Sequence, residues 1–144
     1  MSALTLAVDP GASSGWAIFD GRLLVRAGCA RPCVRFTDPF DVLAIEIPQC
    51  YPGDPTPVQD LIALALVAGR WIGMHDSAKL VRYYPREWKG QLPKKVGNDR
   101  TLGELTEAEI ATIAFPRDAK GRTDVLDAIG IGLVTVGRLR RGLV

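Results

Sequence analysis

One short segment constrains the fold more than any other: residues 42–47 read Val-Leu-Ala-Ile-Glu-Ile. A continuous apolar run of this length is typical of a central β-strand that is buried on both faces. Glu46 interrupts the run, and a charge in the middle of a buried strand is costly to desolvate unless it has a partner. The alternative is that Glu46 lies at the exposed end of the strand, before Pro48.

The chain before this strand carries the signals of three consecutive strands. Residues 4–9 form a short apolar run, which ends where Pro10 and Gly11 force a turn. A second strand is predicted over 15–19, and Asp20-Gly21 is a strong hairpin signal that leads into a strand over 22–26. The chain therefore opens with a three-strand antiparallel meander whose first strand ends at Asp9. Taken alone, Asp-Pro-Gly is most often just a turn.

The rest of the chain predicts helices, connections and one further strand. Loops are expected over 29–41 and 48–57, followed by a largely apolar helix over Val58–Met74 and a strand over 80–84. A helical turn over 86–89 and a basic mobile loop over 92–101 come next. The chain then forms a short helix over 106–113, with Thr106 and Glu109 as its capping box, and a last helix over 123–141 that Thr123 caps. This order predicts a single α/β domain over residues 1–144, with a mixed five-stranded sheet flanked by helices.

The last helix places two more carboxylates close together. Asp124 and Asp127 are three residues apart, so they share one face of the helix, near its predicted start. The helix is otherwise apolar nearly all the way round, which indicates burial on more than one side. Gly130 and Gly132 each cost about 1 kcal/mol of helix propensity relative to alanine, and they indicate a close approach to another element. The alternative for the two aspartates is that they only complement the helix dipole.

These observations combine into a hypothesis of one metal site. If the first and fourth strands are neighbours, Asp9 and Glu46 are neighbours too, and a last helix that crosses the sheet brings Asp124 and Asp127 to the same place. Four carboxylates in contact repel one another unless they are protonated or neutralised. Hard oxygen ligands suit Mg²⁺ or Mn²⁺, and such clusters hold two ions about 3.5–4 Å apart. We therefore expect two Mg²⁺ ions, with Mn²⁺ as a substitute.

The net charge of +2 is too small to indicate a class of partner, but the positions of the basic residues along the chain are informative. Basic residues are concentrated over 82–100, and the C-terminal end adds Arg138, Arg140 and Arg141. Clusters of this kind can bind a polyanion even when the whole chain is nearly neutral. The alternative is a solvated surface that only keeps the protein soluble.

The three cysteines, Cys29, Cys33 and Cys50, are too few for a disulfide framework. Together with the single histidine, His75, they could form a zinc site, but their spacing matches no familiar zinc pattern. We expect reduced thiols in a cytoplasmic protein of a bacterium or a virus-infected cell, since neither a signal peptide nor a membrane span is evident.

Four segments, in this order along the chain, resemble the RuvC family of Holliday junction resolvases. Ala-Val-Asp-Pro-Gly-Ala-Ser-Ser-Gly, which contains Asp9, resembles the family's opening strand-turn-strand motif, and Leu-Ala-Ile-Glu, which ends at Glu46, resembles the strand with its second metal ligand. Pro-Arg-Glu-Trp-Lys at 85–89 resembles the segment after the fifth strand. Asp-Val-Leu-Asp-Ala at 124–128 resembles the closing motif with the last two ligands.

This resemblance implies an RNase H-like fold, dependence on Mg²⁺ and cleavage of branched DNA, such as a four-way junction or a flap. It implies that the catalytic metal ligands are Asp9, Glu46, Asp124 and Asp127. We therefore predict a structure-selective endonuclease that hydrolyses phosphodiesters in branched DNA by a two-metal mechanism.

The resemblance also implies partners. A homodimer is expected through the helix Val58–Met74, whose apolar excess suits a partner surface. Lys89 matches a phosphate-contacting residue of the family by its position in the motif. Further candidates for DNA contacts are Arg86, Lys94, Lys95, Arg100 and Tyr51.

The chain departs from the family in three places that matter, one of which is the placement of glycine and lysine in the basic loop before the short helix. The family usually has a full helix between its third and fourth strands, whereas 29–41 is too short and too rich in proline for one. The family often places a phenylalanine shortly after the strand glutamate, where it stacks on bases of the junction. Here Gln49 holds roughly that place, with Tyr51 nearby. Stacking on unpaired bases is worth about 1–3 kcal/mol, so its loss would relax selectivity.

Two other functions are compatible with parts of the pattern. The turn after Asp9 also resembles the phosphate-gripping turn of actin-like and sugar-kinase-like ATP-binding lobes, but such proteins need two lobes and this chain is long enough for one. A non-catalytic module that binds branched DNA is the other alternative, although all four ligand positions are acidic.

Overall fold

The centre of the protein is a mixed five-stranded sheet. The computed structural model describes residues 2–90 and 92–140. Within them the strands are β1 (Leu4–Asp9), β2 (Ser14–Asp20), β3 (Leu23–Ala30), β4 (Val42–Glu46) and β5 (Lys79–Tyr83). Their order across the sheet is β3-β2-β1-β4-β5. The first three strands are antiparallel, and β4 and β5 are added in parallel beside β1. The predicted α/β class and sheet are confirmed.

Helices cover both faces of this sheet. They are α1 (Val58–Met74), α2 (Pro85–Lys89), α3 (Lys94–Glu104), α4 (Glu107–Ile110) and α5 (Ala119–Thr135). α1 has its predicted bounds and packs on one face of the sheet, while α5 packs on the other. Residues 31–41 contain no helix, as their prolines predicted. None of the helices in the described part of the chain has the length and apolar character that a membrane span requires.

The alternation of side chains along β1 and β4 decides which residues face which layer. Ala7 and Ala44 lie in the core that α5 covers, while the residues next to them belong to the opposite core, together with Trp71 of α1. Both faces of the two central strands are therefore buried, as the apolar run predicted. Asp9 and Glu46 are two residues beyond Ala7 and Ala44, so they lie on the face that α5 covers.

Glycines let α5 approach its neighbours closely. A Cβ atom on Gly132 would lie 2.0 Å from Cε1 of Phe19 in β2, and one on Gly130 would lie 2.8 Å from Cζ3 of Trp88. Both distances are shorter than van der Waals contact, so any larger residue would push the helix or the ring away. The close approach predicted from the two glycines is confirmed.

The basic segment 92–101 was wrongly predicted as a mobile loop, since most of it belongs to α3. This helix starts directly after Pro93 and packs against α5, with Thr101 buried. Gly97 and Gly103 each weaken a helix by about 1 kcal/mol, and few apolar residues mark a buried face, which is why the pattern favoured a loop. Packing against α5 outweighs that weak propensity.

α5 begins at Ala119, earlier than predicted. The backbone N–H of Gly121 donates to the Asp118 carboxylate at 2.8 Å, so Asp118 and not Thr123 caps the helix. The aspartates at 124 and 127 therefore lie in the second and third turns. Because the dipole acts mainly within the first turn, it does not account for them. The helix ends at Thr135, before the predicted bound, and Arg141 lies outside the described residues.

Glu109 joins three parts of the molecule. With Thr106 it forms the predicted capping box of α4, although this helix ends at Ile110. Arg138 Nη1 donates to Glu109 Oε2 at 2.6 Å, and the backbone N–H of Leu24 donates to the same oxygen at 2.8 Å. The hydrogen bond from Arg138, together with those from backbone N–H groups, lowers the pKa of Glu109 to about 2 against the effect of burial. Arg138 is thus held in a buried ion pair rather than exposed in a basic cluster.

Replacing Glu109 should therefore cost stability in a pH-dependent way. Its folded pKa lies below the unfolded value of 4.5, so its contribution is complete above pH 4.5 and is lost as the pH falls towards 2. We expect Glu109→Gln to lower the free energy of unfolding by about 3 kcal/mol at pH 7 and by much less at pH 3, as measured by urea denaturation. Glu107→Gln, exposed on the same helix, is the control. An equal loss at both pH values would contradict this account.

Candidate metal centre

Two carboxylates lie at the carboxyl ends of neighbouring strands. In the parallel pairing of β1 with β4, Val8 lies opposite Ile45. Asp9 and Glu46 follow as the last residues of these strands. Glu46 is therefore not in the middle of its strand, as the apolar run suggested, but half-buried at its end. The strand ends there because Pro48 has no N–H to continue the ladder.

Asp124 and Asp127 come to the same end of the sheet through a close contact between α5 and β2. A Cβ atom on Gly15 would lie 1.9 Å from the carbonyl oxygen of Asp124, so only glycine lets the helix approach here. Gly15 is the pairing partner of Asp9 between β2 and β1. Asp124 is 7% exposed and Asp127 is 8% exposed, so both carboxylates are buried beside the strand ends.

The pKa values reflect how close the four carboxylates are. Burial raises the pKa of Asp9 well above its usual value, and the charges of Glu46, Asp127 and Asp124 raise it further, while Lys89 opposes them. Burial also raises the pKa of Asp127 to about 6, against the effect of nearby lysines. All four predicted carboxylates therefore interact at one place, and the folded protein disfavours their full ionisation.

Two lysines compensate this negative charge only in part. Lys120 Nζ lies 3.2 Å from Asp124 Oδ2, and Lys94 Nζ lies 3.8 Å from Asp127 Oδ2. Their side chains are 77% and 64% exposed. Ion pairs to such exposed ammonium groups contribute about 0–1 kcal/mol, because water screens them. The cluster therefore keeps an excess of negative charge.

Two residues of this site were not predicted from the sequence. Trp88 Nε1 donates a hydrogen bond to Glu46 Oε2 at 2.6 Å. The sequence indicated this contact only in that the segment 85–89 contains a tryptophan, whose indole N–H can donate a hydrogen bond. Lys120 precedes Asp124 by four residues, a spacing that pairs side chains on a helix. The late predicted start of α5 concealed it.

The donor set fits a hard divalent cation in its chemistry. All four side chains offer carboxylate oxygens, the ligands that Mg²⁺ and Mn²⁺ prefer. Burial and the three neighbouring carboxylates raise the pKa of Asp9 despite the charge of Lys89. Within residues 2–90 and 92–140, no three His, Cys, Asp or Glu side chains are already arranged so that they could hold a metal ion. The carboxylates are thus close together without surrounding a common point.

The alternative zinc site is not formed by the described residues. Nδ1 of His75 lies 3.0 Å from the carbonyl oxygen of Trp71, and Nε2 accepts the backbone N–H of Phe36 at 3.1 Å. Both ring nitrogens are therefore engaged in hydrogen bonds inside an aromatic cluster. The three cysteines are free thiols.

Some of the basic candidates lie beside the carboxylates. Lys89 is on the short helix α2, where its ammonium lies 5.5 Å from the ring centre of Trp88. Its charge acts on the cluster, because it lowers the pKa of Asp9. Lys94 and Arg100 line a cavity of about 100 Å³ together with Asp127. These side chains could meet a polyanion whose backbone reaches the carboxylates.

The remaining candidates have other surroundings. Lys95 is exposed on α3 and forms no ion pair with a described residue. The guanidinium of Arg86 lies 5.2 Å from the ring centre of Tyr51, a cation–π contact that joins α2 to the connection after β4.

Solved structures of RuvC resemble this chain, although no family model and no curated protein matches its sequence. T. thermophilus RuvC in complex with Holliday junction substrate matches with a TM-score of 0.56 and 17% identity over 90% of each chain. The chain has the RuvC fold. Another Thermus thermophilus RuvC structure is 16% identical over 90% of this chain and 91% of that chain, with a TM-score of 0.49. The RNase H-like fold implied by the four RuvC-like segments is confirmed.

A side chain at Gly15 should disturb both the packing and the site. We expect Gly15→Ala to lower the free energy of unfolding by about 3 kcal/mol, because the added Cβ overlaps the backbone of α5 at Asp124. Gly103→Ala is the matched control, since nothing lies within 4 Å of its added Cβ, and helix propensity favours alanine there. Urea denaturation measures both variants. Wild-type stability of Gly15→Ala would contradict the close approach of α5 to β2.

Proposed function

We propose that the protein is a divalent-cation-dependent endonuclease that hydrolyses phosphodiesters in branched DNA, in the manner of a Holliday junction resolvase. The observation that carries the proposal is the cluster of Asp9, Glu46, Asp124 and Asp127, in which burial and then each of the other three charges raise the pKa of Asp9. The RuvC fold supports it, because that fold puts the carboxyl ends of β1 and β4 side by side under α5.

In this proposal the four carboxylates hold two Mg²⁺ ions, or Mn²⁺ in their place. When bound, such ions activate a water molecule for attack and stabilise the leaving oxygen of a phosphodiester. Asp124 and Asp127 are ligands with fixed positions, because both are buried on a helix that packs closely against the sheet. Glu46 contributes from the strand end, where Trp88 holds one of its oxygens.

The basic side chains around the cluster are proposed to bind the DNA backbone. Lys89 lowers the pKa of Asp9 by its charge. Lys94 pairs with Asp127, and Arg100 lines a cavity with Asp127. Contacts from such side chains to the DNA backbone position DNA without reading its sequence. Lys95 extends the basic surface along α3. Arg86 and Tyr51 form a cation–π pair on which an unpaired base could stack.

We also propose that two copies of the chain associate through α1. Val58, Ile62 and Leu66 are spaced by four residues on one face of this helix and are 65%, 47% and 70% exposed. An apolar stripe of this kind is unusual on a monomer surface. The free cysteines are consistent with the cytoplasmic location expected from the sequence.

Asp9→Asn should abolish DNA cleavage. The wild-type protein is expected to nick a synthetic four-way junction or flap with Mg²⁺ or Mn²⁺, but not with Ca²⁺ or EDTA. The variant should be slower by at least about 100-fold, because it loses a carboxylate from the cluster. Asp76→Asn, an exposed aspartate after α1, should cut like the wild type.

Three results of this experiment would change the assignment. Equal cutting by the wild type and Asp9→Asn would exclude the proposed site. Junction binding that withstands prolonged incubation with Mg²⁺ and Mn²⁺ without nicking would favour a non-catalytic DNA-binding module. Calorimetric binding of a non-hydrolysable ATP analogue, in place of DNA, would favour an ATP-binding lobe.

The dimer has a separate test. Leu66→Glu places a charge in the apolar stripe of α1 and should convert a dimer into a monomer, as measured by light scattering after gel filtration. Leu23→Glu is the control, because Leu23 is 60% exposed on β3, outside α1. A wild-type protein that is monomeric at all concentrations would contradict the proposed interface.

A further inference from the structure

Trp88 is a buried aromatic residue whose polar atom meets a carboxylate of the cluster. It is 7% exposed, and its indole N–H donates to Glu46 Oε2 at 2.6 Å. This distance is at the short end of the range for N–H···O hydrogen bonds in proteins. The described residues offer the other oxygen, Oε1, no hydrogen bond.

The local sequence explains how this contact arises. Tyr83 is paired with Glu46 between β5 and β4, and α2 begins at Pro85, where the Glu87 carboxylate accepts the backbone N–H of Tyr84 at 2.9 Å. The chain therefore turns directly after β5, and this turn brings Trp88 over the end of β4.

α5 then fixes the ring from the other side. A Cβ atom on Gly130 would lie 2.8 Å from Cζ3 of Trp88, so the glycine makes room for the indole. The ring belongs to the same core as Ala44 and Ile129. An indole ring that is packed this closely has little freedom to rotate. The direction of its N–H toward Glu46 is therefore fixed.

We propose that Trp88 is a positioning residue of the metal centre, which holds Oε2 of Glu46 and leaves Oε1 for a divalent cation. This inference rests on the proposed function, because it takes Glu46 as a metal ligand. Outer partners that orient a ligand typically change metal affinity or activity by about 10–100-fold when they are removed. Trp88 acts through Glu46 and touches no substrate.

The test compares Trp88→Phe with Trp16→Phe in the full-length protein. The first variant keeps an aromatic ring and removes the N–H, while the second makes the same change in the core on the opposite face of the sheet. Calorimetric titration with Mn²⁺ alone should show affinity weaker by about 10-fold or more in Trp88→Phe and unchanged in Trp16→Phe. Thermal melting of both variants in EDTA verifies that they fold.

A spectroscopic measurement on the wild type needs no stable variant. The protein has three tryptophans, and ¹⁵N labelling separates their indole N–H signals. The Trp88 signal should move on addition of Mg²⁺, because its acceptor becomes a cation ligand, while the Trp16 signal should stay. Gly130→Ala, which displaces the ring, should reduce this response.

The outcomes separate this inference from the proposed function. If Trp88→Phe binds Mn²⁺ within about twofold of a wild type that cuts DNA, the role of Trp88 is overturned and the nuclease stands. If Mn²⁺ binding weakens as expected but no DNA is cut, the nuclease is overturned and the positioning role stands. A wild type that binds no Mn²⁺, or a Trp88 signal unmoved by Mg²⁺, overturns the inference.

Discussion

The close packing of α5 on the sheet is the constraint on which the rest of the structure depends. Gly15 in β2 and Gly132 in α5 let the helix approach at distances that any side chain would prevent. The helix thereby covers the apolar face of the central strands and carries Asp124 and Asp127 to the end of β1. Core packing and site geometry are therefore one property, since the distance that buries the core also sets the separation of the carboxylates.

Folding buries two kinds of carboxylate, which differ in whether the protein stabilises their charge. At Glu109 the fold supplies a guanidinium and backbone N–H groups, so it lowers the pKa and stabilises the charge. At Asp9 burial and three neighbouring carboxylates raise the pKa, so the fold opposes the charge. A strained cluster of this kind is typical of a functional site, whereas the Glu109–Arg138 pair serves stability. The two apolar cores offset the electrostatic cost of this cluster.

Sequence patterns predicted the elements whose signals are local. The apolar run that ends at Asp9 and the helix Val58–Met74 have their predicted bounds, because turn residues and side-chain periodicity mark both ends. α3 was missed, since its stability comes from packing on α5 and not from its own residues. The start of α5 was also misplaced, and this error hid the pairing of Lys120 with Asp124.

The sequence by itself determined which carboxylates are unusual and which strands carry two of them, because an acid at the end of an apolar run is visible without knowing its neighbours. Only the tertiary structure decided how these acids interact. Trp88 and Glu46 are 42 residues apart in the chain, and Asp124 meets the sheet at Gly15 through backbone atoms. Contacts of this kind leave no period or motif in the sequence, since they depend on the distance and angle between elements that fold separately along the chain.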